Sequence, residues 1–180
     1  MIYETQRLVV REWTDSAEDI DRFYEIYSLE VVTRWIGMDK PLQSREQAAT
    51  ALERWRQHSP DPRYGLWAVE VKETGTIAGT VLLLPLPEPS DGTPSAGEVE
   101  VGWHQHPDSW GRGYATEAAR GALELGFSYG LTEIHAVAWP GNDPSLAVMR
   151  RIGMQPVGRT SRWFKREAEH YKIPRPRSGE

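Results

Sequence analysis

Between His106 and Phe127 the sequence reads HPDSWGRGYATEAARGALELGF, with Gly111 and Gly113 flanking Arg112 immediately before a run that has the composition of a helix. That juxtaposition has a chemistry. A helix N-terminus presents amides without intrahelical partners together with a partial positive charge; glycine lets a phosphate approach the backbone closely, and an arginine adds a full charge. The turn therefore suits a phosphate or pyrophosphate. Two phosphate ligands fit it poorly. A nucleoside-triphosphate loop needs GxxxxGK followed by Ser or Thr, and the chain contains no Lys-Ser or Lys-Thr pair. A dinucleotide fingerprint needs a small third residue, which would fall on Thr116, and an acid about 20 residues further on, where Glu133 would have to serve from the wrong end of the next strand. A tight turn without a ligand is the alternative reading of a lone GxG.

The elements around this turn follow from pattern. RLVVREW, residues 7–13, alternates as a strand does. TDSAED then offers Asp15 or Ser16 as an N-cap, and Ile20, Phe23 and Tyr27 recur at helical spacing. SREQAATALERWRQH repeats the device, with Ser44 and Gln47 as a capping box and Ala48, Leu52 and Trp55 as an apolar stripe. GLWAVEV and TIAGTVLLLPL are strand-like runs separated by KETG, which predicts an antiparallel hairpin turning at Gly75. Residues 85–97 carry too much Pro, Gly and Ser for either element and read as an exposed loop. EVEVGWHQ is a strand, Ala115 to Tyr129 a helix stopped by Gly130, and EIHAVAW a strand. NDPSLAVMRRIG is a short helix capped by Asn142 or Asp143 and ended by Gly153. RTSRWF and HYKI are expected to form a last pair of strands, and PRPRSGE, residues 174–180, a disordered tail. Strands alternating with helices in this order predict a mixed sheet with helices on its faces, and a right-handed crossover through the helix that follows the glycine turn.

Composition bounds the function. A chain of 180 residues, 39% hydrophobic and 26% charged, fits one domain with a real core. With no cysteine there is neither a disulfide framework nor a thiolate nucleophile. No run approaches the roughly 18 consecutive apolar residues of a membrane span, and MIYETQRLVV is too polar for a signal peptide. A cytoplasmic protein without a membrane partner is expected. A net charge of −5 speaks against nucleic acid and for a cationic partner such as an amine.

WGRGYATEAA, followed further on by NDPSLAVMRRIGM, resembles the GNAT superfamily of acetyl-CoA-dependent N-acetyltransferases, and most closely its Rim-like branch of ribosomal-protein N-terminal acetyltransferases. The opening ETQRLVVREW and the run EVEVGWHQHP share the likeness, which spans about residues 3–173. The family's acyl-CoA motif, Gln/Arg-x-x-Gly-x-Gly/Ala, falls on Trp110, Gly111, Arg112, Gly113, Tyr114 and Ala115, with Trp110 in the place of the usual first residue. The resemblance implies a single α/β domain over residues 1–173, built on a mixed, mostly antiparallel central sheet with helices on both faces. It implies that the amides from Gly111 to Thr116 hold the pyrophosphate of acetyl-CoA. It further implies that the strand before the turn splays from its neighbour, so that Trp103, His104 and Gln105 run along the pantetheine arm as a paired strand would. Arg150 or Arg151 is a candidate for the adenosine 3′-phosphate, against the plainer role of a solvated helix face. No metal is implied, and the protein is expected to be a monomer or homodimer.

The chemistry narrows the remaining roles. A primary amine must lose a proton before it can attack, because α-amines and lysines have pKa values of roughly 8 and 10.4. Glu98 and Glu100 share one face of their strand, and relatives carry a Glu matching Glu100, the candidate base; a solvated or paired strand glutamate is the alternative. His104 and His106 are rival bases, each otherwise a surface or rim histidine. The branch's Asn-x-x-Ser falls on Asn142 and Ser145, which implies that Asn142 binds the pantetheine and that Ser145 serves the leaving thiolate; a first-turn helix serine is its plainer role. Trp35 and Trp163 lie in segments that border the acceptor pocket in similar proteins. A primary amine, on a protein or peptide N-terminus or on a small molecule, is the implied acceptor. A non-catalytic acyl-CoA-binding or sensing domain on the same fold is the alternative function.

Overall fold

The structure, a computed structural model, describes residues 1–57, 61–90, 92–93 and 95–176. Eight strands form one sheet: β1 (Tyr3–Glu4), β2 (Leu8–Glu12), β3 (Gly65–Val71), β4 (Ile77–Pro85), β5 (Val99–Gln105), β6 (Glu133–Ala138), β7 (Gln155–Thr160) and β8 (Ala168–Pro174), in the spatial order β1-β2-β3-β4-β5-β6-β8-β7. The β5–β6 join is parallel and every other pairing is antiparallel. Among the described residues five α-helices accompany it: α1 (Ala17–Tyr27), α2 (Glu30–Thr33), α3 (Arg45–Arg56), α4 (Tyr114–Ser128) and α5 (Asp143–Arg151).

Caps set the helix starts. Ser16, not Asp15, caps α1, its side chain accepting from the Asp19 amide; Ser44 does the same for α3 through the Gln47 amide. Gln47 reaches back to the amide of Gln43 rather than of Ser44, so the reciprocal bond of the capping box is shifted by one residue. Alternation along the strands then divides the core in two. Val69 and Val101 face one cluster, which includes Ala118, Ala119 and Ala122 of α4; Ala68 and Ile77 face the other, with Phe23 and Tyr27 of α1 and Leu52 of α3. Helices thus cover both faces. Small residues let α4 lie close to the sheet: a Cβ on Gly121 would sit 2.3 Å from the Tyr3 ring, and one on Gly126 would sit 2.7 Å from Ile134.

Three sequence expectations shift. The seventh strand is Gln155–Thr160, not the 159–164 run, and Trp163 is buried in the loop that follows it. That strand is a polar edge in which Pro156 and Gly158 are tolerated because β8 alone pairs with it. The short β1 and α2 carry too few residues for a periodic signal. The expected tail begins at Pro174, yet Pro174 closes β8 and the Arg175 amide donates to the Thr132 carbonyl; residues 177–180 lie outside the described ones.

One departure from regularity matters most. β5 is paired with β4 along its whole length, Val99 to Gln105, but with β6 at a single register, Glu100 opposite His135. Beyond Glu100 the two strands part, leaving the edge of β5 without a β6 partner.

Candidate active site

The glycine turn sits beside this parting. Gly111 and Gly113 have φ of +72° and +79°, the left-handed region that glycine enters without a steric penalty. Gly113 is the N-cap of α4 and supplies no side-chain bond, and the amides from Gly111 to Thr116 donate to none of the described residues. Six adjacent donors are therefore available to an anion at the positive end of a helix of 15 residues.

The turn is braced from below. Arg7 donates through its backbone amide and Nε to the Glu117 carboxylate at 2.8 and 2.7 Å, and through Nη1 to the Arg112 carbonyl at 3.0 Å, while its guanidinium lies over the Tyr114 ring. Thr5 adds a hydroxyl bond of 2.6 Å to the same carboxylate. Burial alone would raise the Glu117 pKa, but these donors hold it below the ordinary carboxylate value. The acid is thus neutralised where a bare one would repel a phosphate.

Two cavities open from the parting. The larger, about 1540 Å³, is lined by Gly111, Gly113, Ala115 and Thr116 of the turn, by Trp103, His104 and Gln105 of β5, and by Asn142 and Ser145 of α5. Trp110, 48% exposed, stands at its edge and donates from its indole N–H to the Gln105 carbonyl at 3.1 Å. Arg112, which is exposed, and Tyr114, which belongs to the core, do not line it, and their backbone amides are what the turn offers. Arg7, Arg34, Arg120 and Arg151 add positive charge to the walls. Of the two arginines singled out on α5, Arg151 lines the cavity and Arg150 does not. Arg7 and Arg34 lie far from the motif in sequence and Arg120 follows it on α4, and no local pattern marks any of them as part of the wall.

The smaller cavity, about 650 Å³, is lined by Glu100, His104, Trp35, Trp55, Trp103, Trp139 and Phe164 among others. Both cavities share Trp35, Ile36, Trp103, His104, Asn142 and Ser145, so they meet where β5 leaves β6. Trp163 does not line either one. It packs edge-on against His135 and His170, and its neighbour Phe164, edge-on to Trp139, takes the place at the wall.

The titratable groups at this junction are perturbed by burial. Desolvation pushes Glu100 up to about 7, and its carboxylate has no hydrogen-bond partner among the described residues. Desolvation pushes His104 down to about 4, which leaves a neutral imidazole at physiological pH. His104 is no surface histidine: its Nδ1 is 3.2 Å from the Tyr27 hydroxyl, which also bonds Thr80 at 2.7 Å, and its ring packs against Tyr27 and Trp55. His106 lies outside, where its Nδ1 accepts from the Asp108 amide at 3.2 Å. Glu98 is held below the ordinary value despite burial, by the Ala96 amide and the Arg162 guanidinium at 2.8 Å. Asn142 caps α5 by accepting from the Ser145 amide at 3.4 Å, and its amide nitrogen donates to none of the described residues. Ser145 lines both cavities. Among the described residues no group of three or more His, Cys, Asp or Glu could hold a metal ion, and no helix is long and apolar enough to cross a membrane.

Residues 7–155 match the family model described as Acetyltransferase (GNAT) domain. The chain is 28% identical over 158 residues to the uncharacterized N-acetyltransferase YoaA of Bacillus subtilis, covering 87% of this chain and 84% of that one. Its fold is similar to that of an acetyltransferase of the GNAT family from Bacillus anthracis, at a TM-score of 0.74 and 23% identity over 95% of this chain and 96% of the other. It is also similar in fold to a spermidine N-acetyltransferase from Vibrio cholerae, at 0.65 and 16% over 94% and 95%.

Proposed function

From the premise that this chain belongs to the GNAT acetyltransferase family, we propose that it transfers an acetyl group from acetyl-CoA to a primary amine by direct attack, without a covalent enzyme intermediate. The observation that carries the reading is the junction of the two cavities at Trp103, His104, Asn142 and Ser145, because it joins a phosphate-ready cleft to a separate chamber holding a desolvated carboxyl.

The residues present fit acetyl-CoA. The unpaired amides from Gly111 to Thr116 would hold its pyrophosphate, the arginines of the walls would meet its other charges, and the open edge of β5 would pair with the pantetheine amides. Bound there, acetyl-CoA supplies an activated thioester acetyl. Glu100, half-ionised near neutrality, accepts the ammonium proton at its carboxylate and leaves the amine free to attack. His104, neutral and held by Tyr27, is a wall for the amine. The Ser145 Oγ–H would hydrogen-bond the sulfur that leaves, and the Asn142 amide nitrogen would fix the arm beside it; their places in the cavity wall support this. A binding-only domain has no use for a carboxyl kept half-charged in a chamber beside the cleft, which favours the enzyme.

The sequence motifs around Gly111 and Asn142 support placement in the Rim-like branch, and with it a protein or peptide N-terminus as acceptor, a small-molecule amine being the other choice. A cytoplasmic monomer or homodimer, acting without nucleic acid or membrane, completes the reading; the charge of −5 and the lack of cysteine support it. Calorimetry with acetyl-CoA, followed by thiol release across peptides, aminoglycosides, polyamines and amino acids, tests it. Micromolar affinity and release that depends on an amine are expected; no affinity for acetyl-CoA in a folded protein would overturn the family-based mechanism.

A further inference from the structure

The smaller cavity carries information about the acceptor that the cleft does not. Its walls include five aromatic side chains, Trp35, Trp55, Trp103, Trp139 and Phe164, drawn from five separate segments. Most of its other lining is aliphatic, proline or glycine, and the only ionisable side chains among the described residues lining it are Glu100 and His104. Among the described residues that wall has no aspartate, lysine or arginine and no second glutamate. A polycation could place one ammonium at Glu100, but every further charge would be stripped of water against indole and aliphatic carbon without a carboxylate to meet it. A single ammonium is served well: Glu100 takes its proton, the aromatic faces attract it before it is neutral, and the remaining body is buried as apolar surface.

The roof of the chamber is fixed in a matching way. Pro85 closes β4, Pro87 comes from the loop that follows it, and Phe164 from the loop after β7. These loops are pinned together outside the cavity, where Ser90 donates through its amide to the Arg162 carbonyl and through its hydroxyl to the Ser161 carbonyl, and the Arg162 guanidinium pairs with Glu98. Polar groups of both loops are therefore spent on each other, and apolar ones face inward.

Resting on the acetyltransferase reading above, we infer that the acceptor is an amine carrying a single positive charge on an aromatic or bulky apolar body, and that polyamines and aminoglycosides are not its substrates. The same chemistry is offered by a free arylalkylamine and by the first residue of a peptide with an aromatic side chain, and the test separates them. Wild-type protein with acetyl-CoA is assayed by thiol release against 2-phenylethylamine, the peptide Phe-Gly-Gly, the peptide Gly-Gly-Gly, spermidine and kanamycin. The expected kcat/KM for 2-phenylethylamine or Phe-Gly-Gly exceeds that for spermidine and kanamycin by at least tenfold, and the better of the two identifies the source. Phe-Gly-Gly is expected to exceed Gly-Gly-Gly by a similar factor if the source is a peptide. Trp139→Ala and Phe164→Ala are expected to lower kcat/KM for the preferred amine severalfold while acetyl-CoA affinity, measured separately by calorimetry, stays within about twofold. Binding of each amine without acetyl-CoA, followed by tryptophan fluorescence, keeps the inference distinct from the reaction. Selective binding of the aromatic monoamine supports it even where no thiol is released. Spermidine or kanamycin reacting or binding as well as the aromatic amines overturns it, as does the failure of every aromatic monoamine to bind or react.

Discussion

Replacing Glu100 by glutamine should move turnover and stability in opposite directions. The carboxyl ordinarily titrates near 4.5 and is pushed up to about 7 by burial, with no hydrogen bond to either protonation state among the described residues. In the unfolded chain it ionises near 4.5. Between these values the folded protein holds a proton that the unfolded one has released, so folding stability contributed by this group falls as pH rises and levels off above about 7. At roughly 1.4 kcal/mol per pH unit the gap amounts to about 3 kcal/mol against the folded state at alkaline pH. Glutamine has the same shape and no charge. The stability difference between Glu100→Gln and wild type should thus be near zero at pH 4 and grow to as much as ~3 kcal/mol in favour of the variant at pH 8.5. Turnover should fall by on the order of 10²–10⁴, with acetyl-CoA affinity within a few fold, and the limb of the pH–rate profile that rises through about 7 should disappear. Urea unfolding at the two pH values gives the first difference, and thiol release with an accepted amine gives the second. A variant no more stable than wild type at pH 8.5 would refute the desolvation argument. An unchanged pH limb would remove Glu100 as the base and shift the proton to His104 or water.

Other expectations follow from the same geometry. Gly113→Glu puts a side chain at a φ of +79°, with its Cβ 3.4 Å from the Arg7 guanidinium and its charge beside the amides offered to pyrophosphate, so calorimetry should find acetyl-CoA binding lost in a protein that circular dichroism shows to be folded. Ser145→Ala should lower turnover by on the order of 10²–10⁴ while leaving acetyl-CoA affinity within a few fold, whereas a purely structural serine would cost about 1 kcal/mol of stability and little rate. His170, 2.9 Å from the His135 ring nitrogen, is pushed down to about 4 by burial and by that neighbour. Its folded value lies below the unfolded one, so stability is lost as pH falls from about 6.5 through about 4; His170→Gln should flatten this by on the order of 2 kcal/mol in unfolding measured at pH 4 and 7.

What could be read from the sequence was whatever local chemistry announces. The caps at Ser16 and Ser44, the Gly75 hairpin and the Gly111–Gly113 turn each depend on residues a few positions apart, and the structure has all of them. β7 runs over Gln155–Thr160 rather than the expected RTSRWF, because the true strand is exposed and polar and contains Pro156 and Gly158, which carry no strand signal. The walls of the site were harder still. His104 is held by Tyr27 and Trp55, distant in sequence, and the Arg7–Glu117 brace joins a strand turn to a helix 110 residues later. Phe164 rather than Trp163 reaches the chamber because the loop after β7 turns Trp163 toward His135 and His170, and no periodicity governs which of two adjacent loop residues faces inward.

The single rung between β5 and β6 also bears on how the chain holds together in time. From β1 to β5 each strand pairs with the one before it in sequence, and β6, β8 and β7 form a block of their own. The parallel join across α4 is the non-local step, slow to form because loop entropy is spent before contacts accrue, and it is made here by one pair of residues. Such a seam is expected to close late in folding and to open before either block does. The proposed site lies along this seam, and a ligand lying across it would act as a weld, so that the amides of both blocks are expected to gain protection from hydrogen exchange together when the cleft is filled.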